Sequence, residues 1–167
     1  MTAITRVTNR QHDAEIRDLE TEYFAWVNAQ LGAEFGIALD TERMLARDLS
    51  ELEMYFPPRG GLFLARVDEH LAGMIFLTEL RPQVGQIRRM YVRDAYRRRG
   101  IARDLFETAL EAARDLGFSE LLLESPISWQ GAHALYKDMG FQDVPMYPES
   151  EVPEHLRKYW VFMGLGL

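Results

Sequence analysis

The feature that most limits how this chain can fold is a strand leading through a basic, glycine-containing turn into a long helix. The segment "QIRRMYV" (86–92) is typical of a strand, and "RRRGIARDLF" (97–106) follows it closely. Apolar residues then recur at helical spacing from Ile101 to Leu116, and Gly117 is placed to end the helix. A unit of this kind predicts an α/β sheet in which the turn lies at one end of a strand.

The composition of the turn suits the binding of an anion. Gly100 and Ala102 keep bulky side chains away, so a phosphate can approach the backbone N–H groups that open the helix. The positive end of the helix favours negative charge there, and the neighbouring arginines can add charge-assisted hydrogen bonds. The alternative is a basic turn exposed to water. Its position between a strand and a helix favours the anion site.

Charge is spread unevenly along the chain. Between Arg88 and Arg103 lie seven arginines and one acid, a local charge of +6, which leaves −13 for the rest of a chain whose net charge is −7. Proteins that bind nucleic acids without specificity spread basic charge over a face, because each neutralised phosphate adds affinity. One basic spot on an acidic body therefore favours a small anion and disfavours a nucleic-acid partner. Nucleic-acid binding stays the alternative that predicts a steep salt dependence.

Periodicity and turn residues predict the remaining elements. The chain length is that of one domain, residues 1–167. The predicted order is a strand (4–8), a helix (13–31), a helix capped by Asp40, a hairpin (62–67 and 71–80), the strand and helix above, a strand (120–125), a helix (130–139) and two strands within 141–147 and 159–165. This order predicts one mixed α/β sheet with helices on both faces.

Several classes of protein are disfavoured by residues that are missing. No cysteine is present, which excludes disulfides, thiolate metal sites and an acyl-cysteine intermediate. The four histidines are scattered, so we expect no metal site. No apolar run approaches the roughly 20 residues of a membrane span, and "MTAITRVTNR" has no apolar signal-peptide core. We therefore expect a cytoplasmic protein without a membrane partner.

Three segments in order resemble the GNAT superfamily of acyl-CoA-dependent N-acyltransferases. "MYVRDAYRRRGIARDLFETALEAARDLGF" is similar to its pyrophosphate-binding strand, R-x-x-G-x-A turn and helix. "ELLLES" (120–125) is similar to the strand that follows, and "AHALYKDMGF" (132–141) to the closing segment. The resemblance implies a mostly antiparallel twisted sheet of about seven strands with one splayed parallel pair, and acetyl-CoA as co-substrate without a metal.

The resemblance also implies which residues meet the cofactor. The strand end would pair with the pantetheine arm through backbone groups, with an N–H near Tyr91 polarising the thioester carbonyl, and the turn amides would hold the pyrophosphate. The expected cofactor-binding residues are Met90, Tyr91, Val92, Arg97, Arg98, Arg99, Gly100, Ile101, Ala102, Arg103, Trp129, Ala132 and Tyr136.

Transfer of an acetyl group to an amine needs a base for the amine and an acid for the thiolate. Tyr136 matches the tyrosine that acts as general acid in many family members. Some members carry a glutamate base where Gln86 stands here, and a glutamine cannot accept a proton. Glu79, at the end of the preceding strand, is the candidate base through a water, and an exposed structural carboxylate is the alternative reading.

A second departure from the family pattern is Trp129, which stands where many relatives have asparagine. The indole could pack on the pantetheine or adenine, and Gln130 could supply the lost polarity. The two departures, Gln86 and Trp129, keep open a non-catalytic acyl-CoA-binding sensor or assembly subunit as the alternative to an enzyme.

The acceptor is expected to be a small primary amine or a peptide amine. Aromatic and acidic residues in the first two helices and the tail would suit an amine with an apolar or second cationic group. The acidic run "PESEVPE" (148–154) can be a substrate lid or a solvated loop. The resemblance makes a homodimer plausible.

Overall fold

A computed structural model describes all residues, 1–167, and shows one seven-stranded sheet flanked by four helices. The elements are β1 (Thr2–Arg6), α1 (Asp13–Phe35), α2 (Thr41–Ser50), β2 (Gly60–Val67), β3 (His70–Arg81), β4 (Val84–Val92), α3 (Ile101–Asp115), β5 (Glu120–Pro126), α4 (Gln130–Asp138), β6 (Gln142–Asp143) and β7 (Trp160–Gly166). The strand order is β1-β2-β3-β4-β5-β7-β6, and every neighbouring pair is antiparallel except β4 and β5. The predicted fold class is confirmed.

Apolar side chains are buried on both faces of the sheet. On one face α3 and α4 cover a core that includes Phe106, Leu121 and Leu123. On the other face α1 packs over a second core that includes Ile16, Leu19 and Phe76. Helices thus cover the side chains on both faces of the sheet, which explains the long apolar runs in β2 and β3.

The parallel pair β4 and β5 separates soon after it begins. Only Val84–Gln86 of β4 pair with Glu120–Leu122 of β5. β4 then continues to Val92 and β5 to Pro126 without hydrogen bonds between them. A wedge-shaped gap therefore opens in the sheet, and the α3 turn lies at its β4 side.

A β-bulge lies in the part of β4 that borders this gap. Phe76 of β3 pairs with Arg88 and Met74 with Tyr91, so two β4 residues lie opposite the single residue between them. One of these two, Arg89, has a φ of +50°. The extra residue brings Arg88 and Arg89 to the same face of the sheet, where both contact acidic side chains.

Element boundaries differ from the predicted ones mainly in the tail. β6 contains only two residues, and Glu154–Tyr159 form a 3-10 helix within the predicted loop and strand. Prolines at 145, 148 and 153 have no backbone N–H to donate to a neighbouring strand, which explains why the strand here is short. The Asp40 cap is confirmed, because its carboxylate accepts from the N–H of Arg43 at 3.1 Å.

Neither a membrane-spanning helix nor a metal-binding cluster is found among the described residues. No helix combines the length and the apolar character needed to cross a bilayer. No three His, Asp or Glu side chains are arranged to hold a metal ion.

Gly73 of β3 allows β4 to approach closely, and its replacement is the first test of the fold. A Cβ at Gly73 would lie 2.6 Å from the carbonyl oxygen of Tyr91 and 3.2 Å from a Val92 methyl. We predict that Gly73→Ala lowers the free energy of unfolding by about 1–3 kcal/mol, because backbone must move to admit the methyl group. Urea denaturation measures the change.

Gly131→Ala is the matched control for this variant. A Cβ at Gly131, an exposed helical position in α4, meets nothing within 4 Å. It should stabilise the chain by up to about 1 kcal/mol, since alanine favours the helix. Equal effects of the two substitutions would contradict the close approach of β3 and β4.

Candidate active site

Six consecutive backbone N–H groups, those of residues 98–103, have no hydrogen-bond acceptor in the protein. On one side of this run the N–H of Arg97 donates to Asp94, and on the other the N–H of Asp104 donates to Gly100. Such a run at a helix N-terminus carries partial positive charge and offers several donors to one anion. This turn is named the amide cradle below.

Gly100 shapes the amide cradle. Its φ is +83°, a conformation that other residues rarely adopt, and a Cβ there would meet no heavy atom within 4 Å. The space in front of the amides is therefore open. Arg98 and Arg99 are exposed beside it, while Arg103 is drawn toward α4 by an ion pair with Asp138.

The backbone of Val92 faces the gap between β4 and β5. The N–H of Arg93 donates to Ala72 of β3 at 2.9 Å, and successive residues of a strand bond to opposite sides. The N–H and C=O of Val92 therefore point away from β3, to the side where β5 has already diverged. An extended ligand could pair with this edge as a strand would.

Arg97 does not join the amide cradle. Its Nε donates to the carbonyl oxygen of Val92 at 2.9 Å, and its Nη1 lies 2.7 Å from Asp94. The guanidinium also lies 5.0 Å from the ring centre of Trp26. One of the two backbone groups predicted to meet the cofactor is thus bonded to Arg97 in this structure.

The remaining predicted cofactor-binding residues direct their side chains into the core. The side chains of Met90, Ile101, Ala102 and Ala132 pack against the core on the α3 side. Tyr91 is buried on the opposite face, where its ring lies 6.0 Å from Tyr23.

Tyr136 lies on α4 with its ring packed 5.3 Å from that of Phe106. Burial raises the pKa of its hydroxyl, and the nearby hydroxyl of Tyr23 raises that pKa further. No hydrogen bond contributes to the shift. The phenol is therefore protonated at neutral pH, and its proton is not donated to another residue.

Glu124 is a candidate base that was not recognised in the sequence. It lies on β5 two residues beyond Leu122, where pairing with β4 ends, and it lines a cleft on the α1 side of the sheet. One of its carboxylate oxygens is buried without a hydrogen-bond partner. Burial raises the pKa of Glu124, although hydroxyls of Ser150 and Tyr147 act in the opposite direction. These properties suit a general base.

Glu79, the base predicted from the sequence, is not brought to this place. It is exposed at the end of β3, where it pairs with Gly85, and it lines a separate surface pocket with Leu116 and Gly117. Those two residues follow the C-terminus of α3, about 20 Å along the helix from the amide cradle. The geometry therefore does not support a role for Glu79 in catalysis. Gln86 is buried and donates to the Tyr147 hydroxyl at 3.1 Å.

The cleft has a volume of about 310 Å³ and lies between α1, α2 and the segment that precedes β7. Trp129 forms part of its wall, 4.7 Å from the ring of Trp26, and the indole Nε1 is buried without a partner. The acidic run 148–154 contributes Glu151, Val152 and Pro153 to the same wall. This run is therefore partly packed over the cleft.

A buried charge cluster lies beside the cleft. The Nε of Arg89 donates to Asp48 of α2 at 2.5 Å, and the guanidinium lies 5.0 Å from the ring centre of Phe24. Glu20 of α1 is fully buried, with an oxygen 3.9 Å from the same Nε. Burial and the charge of Asp48 raise the pKa of Glu20 from 4.5 to about 9, so its carboxyl is neutral at pH 7.

The GNAT resemblance is also found in comparisons with known proteins. The sequence profile of the Acetyltransferase (GNAT) family matches residues 14–141. The human N-acetyltransferase 8 is 35% identical over 105 residues, 59% of this chain and 46% of that protein. The uncharacterized N-acetyltransferase YjgM of Escherichia coli (strain K12) is 30% identical over 125 residues, 72% of this chain and 75% of that protein.

A solved structure shares the whole fold at low identity. The PaiA N-acetyltransferase of Thermoplasma acidophilum, in complex with coenzyme A, superposes with a TM-score of 0.73 at 15% identity, covering 100% of this chain and 99% of that one. The chain spans about half the length of the human relative. Both relatives are named as N-acetyltransferases. Profile, relatives and fold agree, and the chain belongs to the GNAT family of acetyltransferases.

Proposed function

We propose that this chain is an acetyl-CoA-dependent N-acetyltransferase that moves an acetyl group to a primary amine by direct attack within a ternary complex. The observation that carries the proposal is the amide cradle, six unpaired N–H groups at residues 98–103 beside a strand edge without a partner. A diphosphate satisfies donors of this kind, and a pantetheine arm has the amides that a strand edge can pair with.

The residues around the gap fit coenzyme A. The amides of residues 98–103 would hold its pyrophosphate, with Arg98 and Arg99 adding charge from the rim. The N–H of Val92 would pair with the pantetheine, while its carbonyl becomes available when Arg97 releases it. Coenzyme A bound to the PaiA structure supports this assignment.

The two ionisable groups at the gap divide the proton transfers between them. Acetyl-CoA supplies an activated acetyl thioester. Glu124 takes a proton from the acceptor ammonium, and the neutral amine attacks the thioester carbon. The new N–C bond forms, the C–S bond breaks, and Tyr136 donates a proton to the departing sulfur. The second proton of the amine nitrogen then returns to the Tyr136 phenolate, which leaves a neutral amide and a thiol. A backbone N–H of the β4 end, at Met90 next to Tyr91, stabilises negative charge on the thioester oxygen.

Direct transfer from cofactor to amine is consistent with the residues present. The chain has no cysteine that could carry the acetyl group between the two substrates. The cleft next to Glu124 leaves room for an acceptor while the cofactor occupies the gap.

The overall proposal is tested by measuring thermal stability and thiol release with acetyl-CoA. Acetyl-CoA at about a hundred times its dissociation constant should stabilise the chain by about 2.7 kcal/mol. Thiol release above the hydrolysis background in a broad panel of amines would establish transfer. Stabilisation without release for any amine would favour the non-catalytic sensor.

Tyr136→Phe removes the proposed acid and little else. The ring still fills its place beside Phe106, so fold and cofactor affinity should be retained. We predict that kcat falls about 10²-fold or more, because the thiolate then leaves without a proton. Stopped-flow thiol detection gives kcat, and calorimetry gives the dissociation constant for coenzyme A. A variant with unchanged kcat would exclude Tyr136 as the acid.

Glu124→Gln removes the proposed base. Burial raises the pKa of Glu124 above the ordinary glutamate value. In the native chain kcat should fall as the pH drops through this pKa, because only the ionised carboxylate can accept a proton. The glutamine variant should lose that acidic limb and about 10²-fold or more in kcat. The pH dependence of kcat measures both effects.

Glu79→Gln is the matched control, since it makes the same change at the carboxylate that lies outside the cleft. Its pH profile and kcat should match those of the native chain. Loss of activity in Glu79→Gln, with Glu124→Gln unaffected, would reverse the assignment of the base.

A further inference from the structure

We infer that the acceptor amine also carries a carboxylate, and that Arg89 binds this carboxylate at the floor of the cleft. This inference rests on the proposed function, because it concerns the second substrate of the same site. It assigns a role to a buried arginine that the transfer chemistry itself does not use.

The guanidinium of Arg89 has one nitrogen left for a ligand. Its side chain is only 8% exposed, yet Arg89 is part of the cleft lining. Nε donates to Asp48, and Nη2 is sealed in the interior, 3.9 Å from Glu151. Nη1 makes no hydrogen bond in the protein and, unlike Nη2, is not sealed. It is therefore a fixed, open donor on the cleft.

Arg89 shares its acidic partners with neighbouring arginines. The guanidinium groups of Arg47, Arg88 and Arg89 share the carboxylates of Asp48 and Glu151, and an oxygen of Glu20 lies 3.9 Å from the Nε of Arg89. Burial and the charge of Asp48 raise the pKa of the neighbouring Glu20, which favours its neutral form. A ligand carboxylate would accept a charge-assisted hydrogen bond from Nη1.

The position of Arg89 fits an acceptor whose amine and carboxylate are close together. If the β4–β5 register continued beyond Gln86 and Leu122, Glu124 would face Arg88, the neighbour of Arg89. The amine would thus lie toward Glu124 and the carboxylate toward Arg89. Because Glu124 and Arg89 line the same small cleft, an amino acid fits this arrangement.

The remaining wall of the cleft suits an apolar side chain. Phe24, Val27, Met44 and Trp160 all contribute to it. A volume of about 310 Å³ is at the small end of ligand pockets, which favours a single amino acid over a longer peptide. The ligand class is therefore an amino acid with an apolar or aromatic side chain.

The test compares three amines that differ only at the carboxylate: L-phenylalanine, L-phenylalaninamide and 2-phenylethylamine. At saturating acetyl-CoA, we expect kcat/KM for phenylalanine to exceed that of each of the other two by about tenfold or more, since a charge-assisted hydrogen bond is lost with each. A smaller ratio of kcat/KM for phenylalanine to that for either of the other amines would overturn the inference and leave the acetyltransferase function standing. No thiol release with any amine would overturn both.

Arg89→Lys tests the residue assignment. Lysine keeps a positive charge beside Asp48, but it has no counterpart of the Nη1 group that donates into the cleft. We expect the phenylalanine preference over 2-phenylethylamine to fall at least about fivefold, mainly through KM for phenylalanine. Arg17→Lys, an exposed site on α1, should keep the native ratio. An unchanged preference in Arg89→Lys would overturn the role of Arg89.

A measurement on the native chain covers the case in which Arg89→Lys does not fold. 3-Phenylpropanoate keeps the carboxylate and lacks the amine, so it should compete with the acceptor. Its inhibition constant should be at least about tenfold lower than that of 3-phenylpropanamide. Equal inhibition by the acid and the amide would overturn the inference.

Discussion

The site depends on an incomplete pairing of two parallel strands. β4 and β5 share three residue pairs and then diverge, so the end of β4 keeps backbone donors and acceptors without a strand to receive them. Unpaired backbone groups are costly inside a protein, and a chain normally satisfies them. Here they border a gap, where a ligand can supply the partners. The amide cradle of residues 98–103 is a second set of unpaired groups, separated from this edge by the bonded N–H groups of Arg93, Tyr96 and Arg97.

Several local features keep the two strands apart and the end of β4 in place. The bulge at Arg89 changes the direction of β4, and the ion pair with Asp48 ties that bulge to α2. Gly73 lets β3 approach the same stretch from its other side. On the opposite side of the gap, β5 carries Glu124 to the cleft, and α4 carries Tyr136. The proposed acid and base thus come from two elements that follow the divergence.

Much of this arrangement follows from local sequence rules. Periodicity and residues with fixed conformational preferences set the order of strands and helices, the Asp40 cap and the glycine turn before α3. All three features were predicted. Glu20 and Glu124 were not. Each is a carboxylate within an otherwise apolar pattern, and a sequence does not show whether such a group faces water or a buried arginine. Glu79 lies at the other end of the sheet for a related reason, because strand order alone does not fix which end holds the site.

The central claim is that the amides of residues 98–103 are free to hold a diphosphate, and NMR titration tests it most directly. In ¹⁵N-labelled protein, coenzyme A should shift the backbone amide resonances of residues 98–103 and of Val92, and inorganic pyrophosphate should shift the first group alone. Slow hydrogen exchange at these amides in the free protein, together with no shift on adding coenzyme A, would show that they are already bonded and would contradict the account.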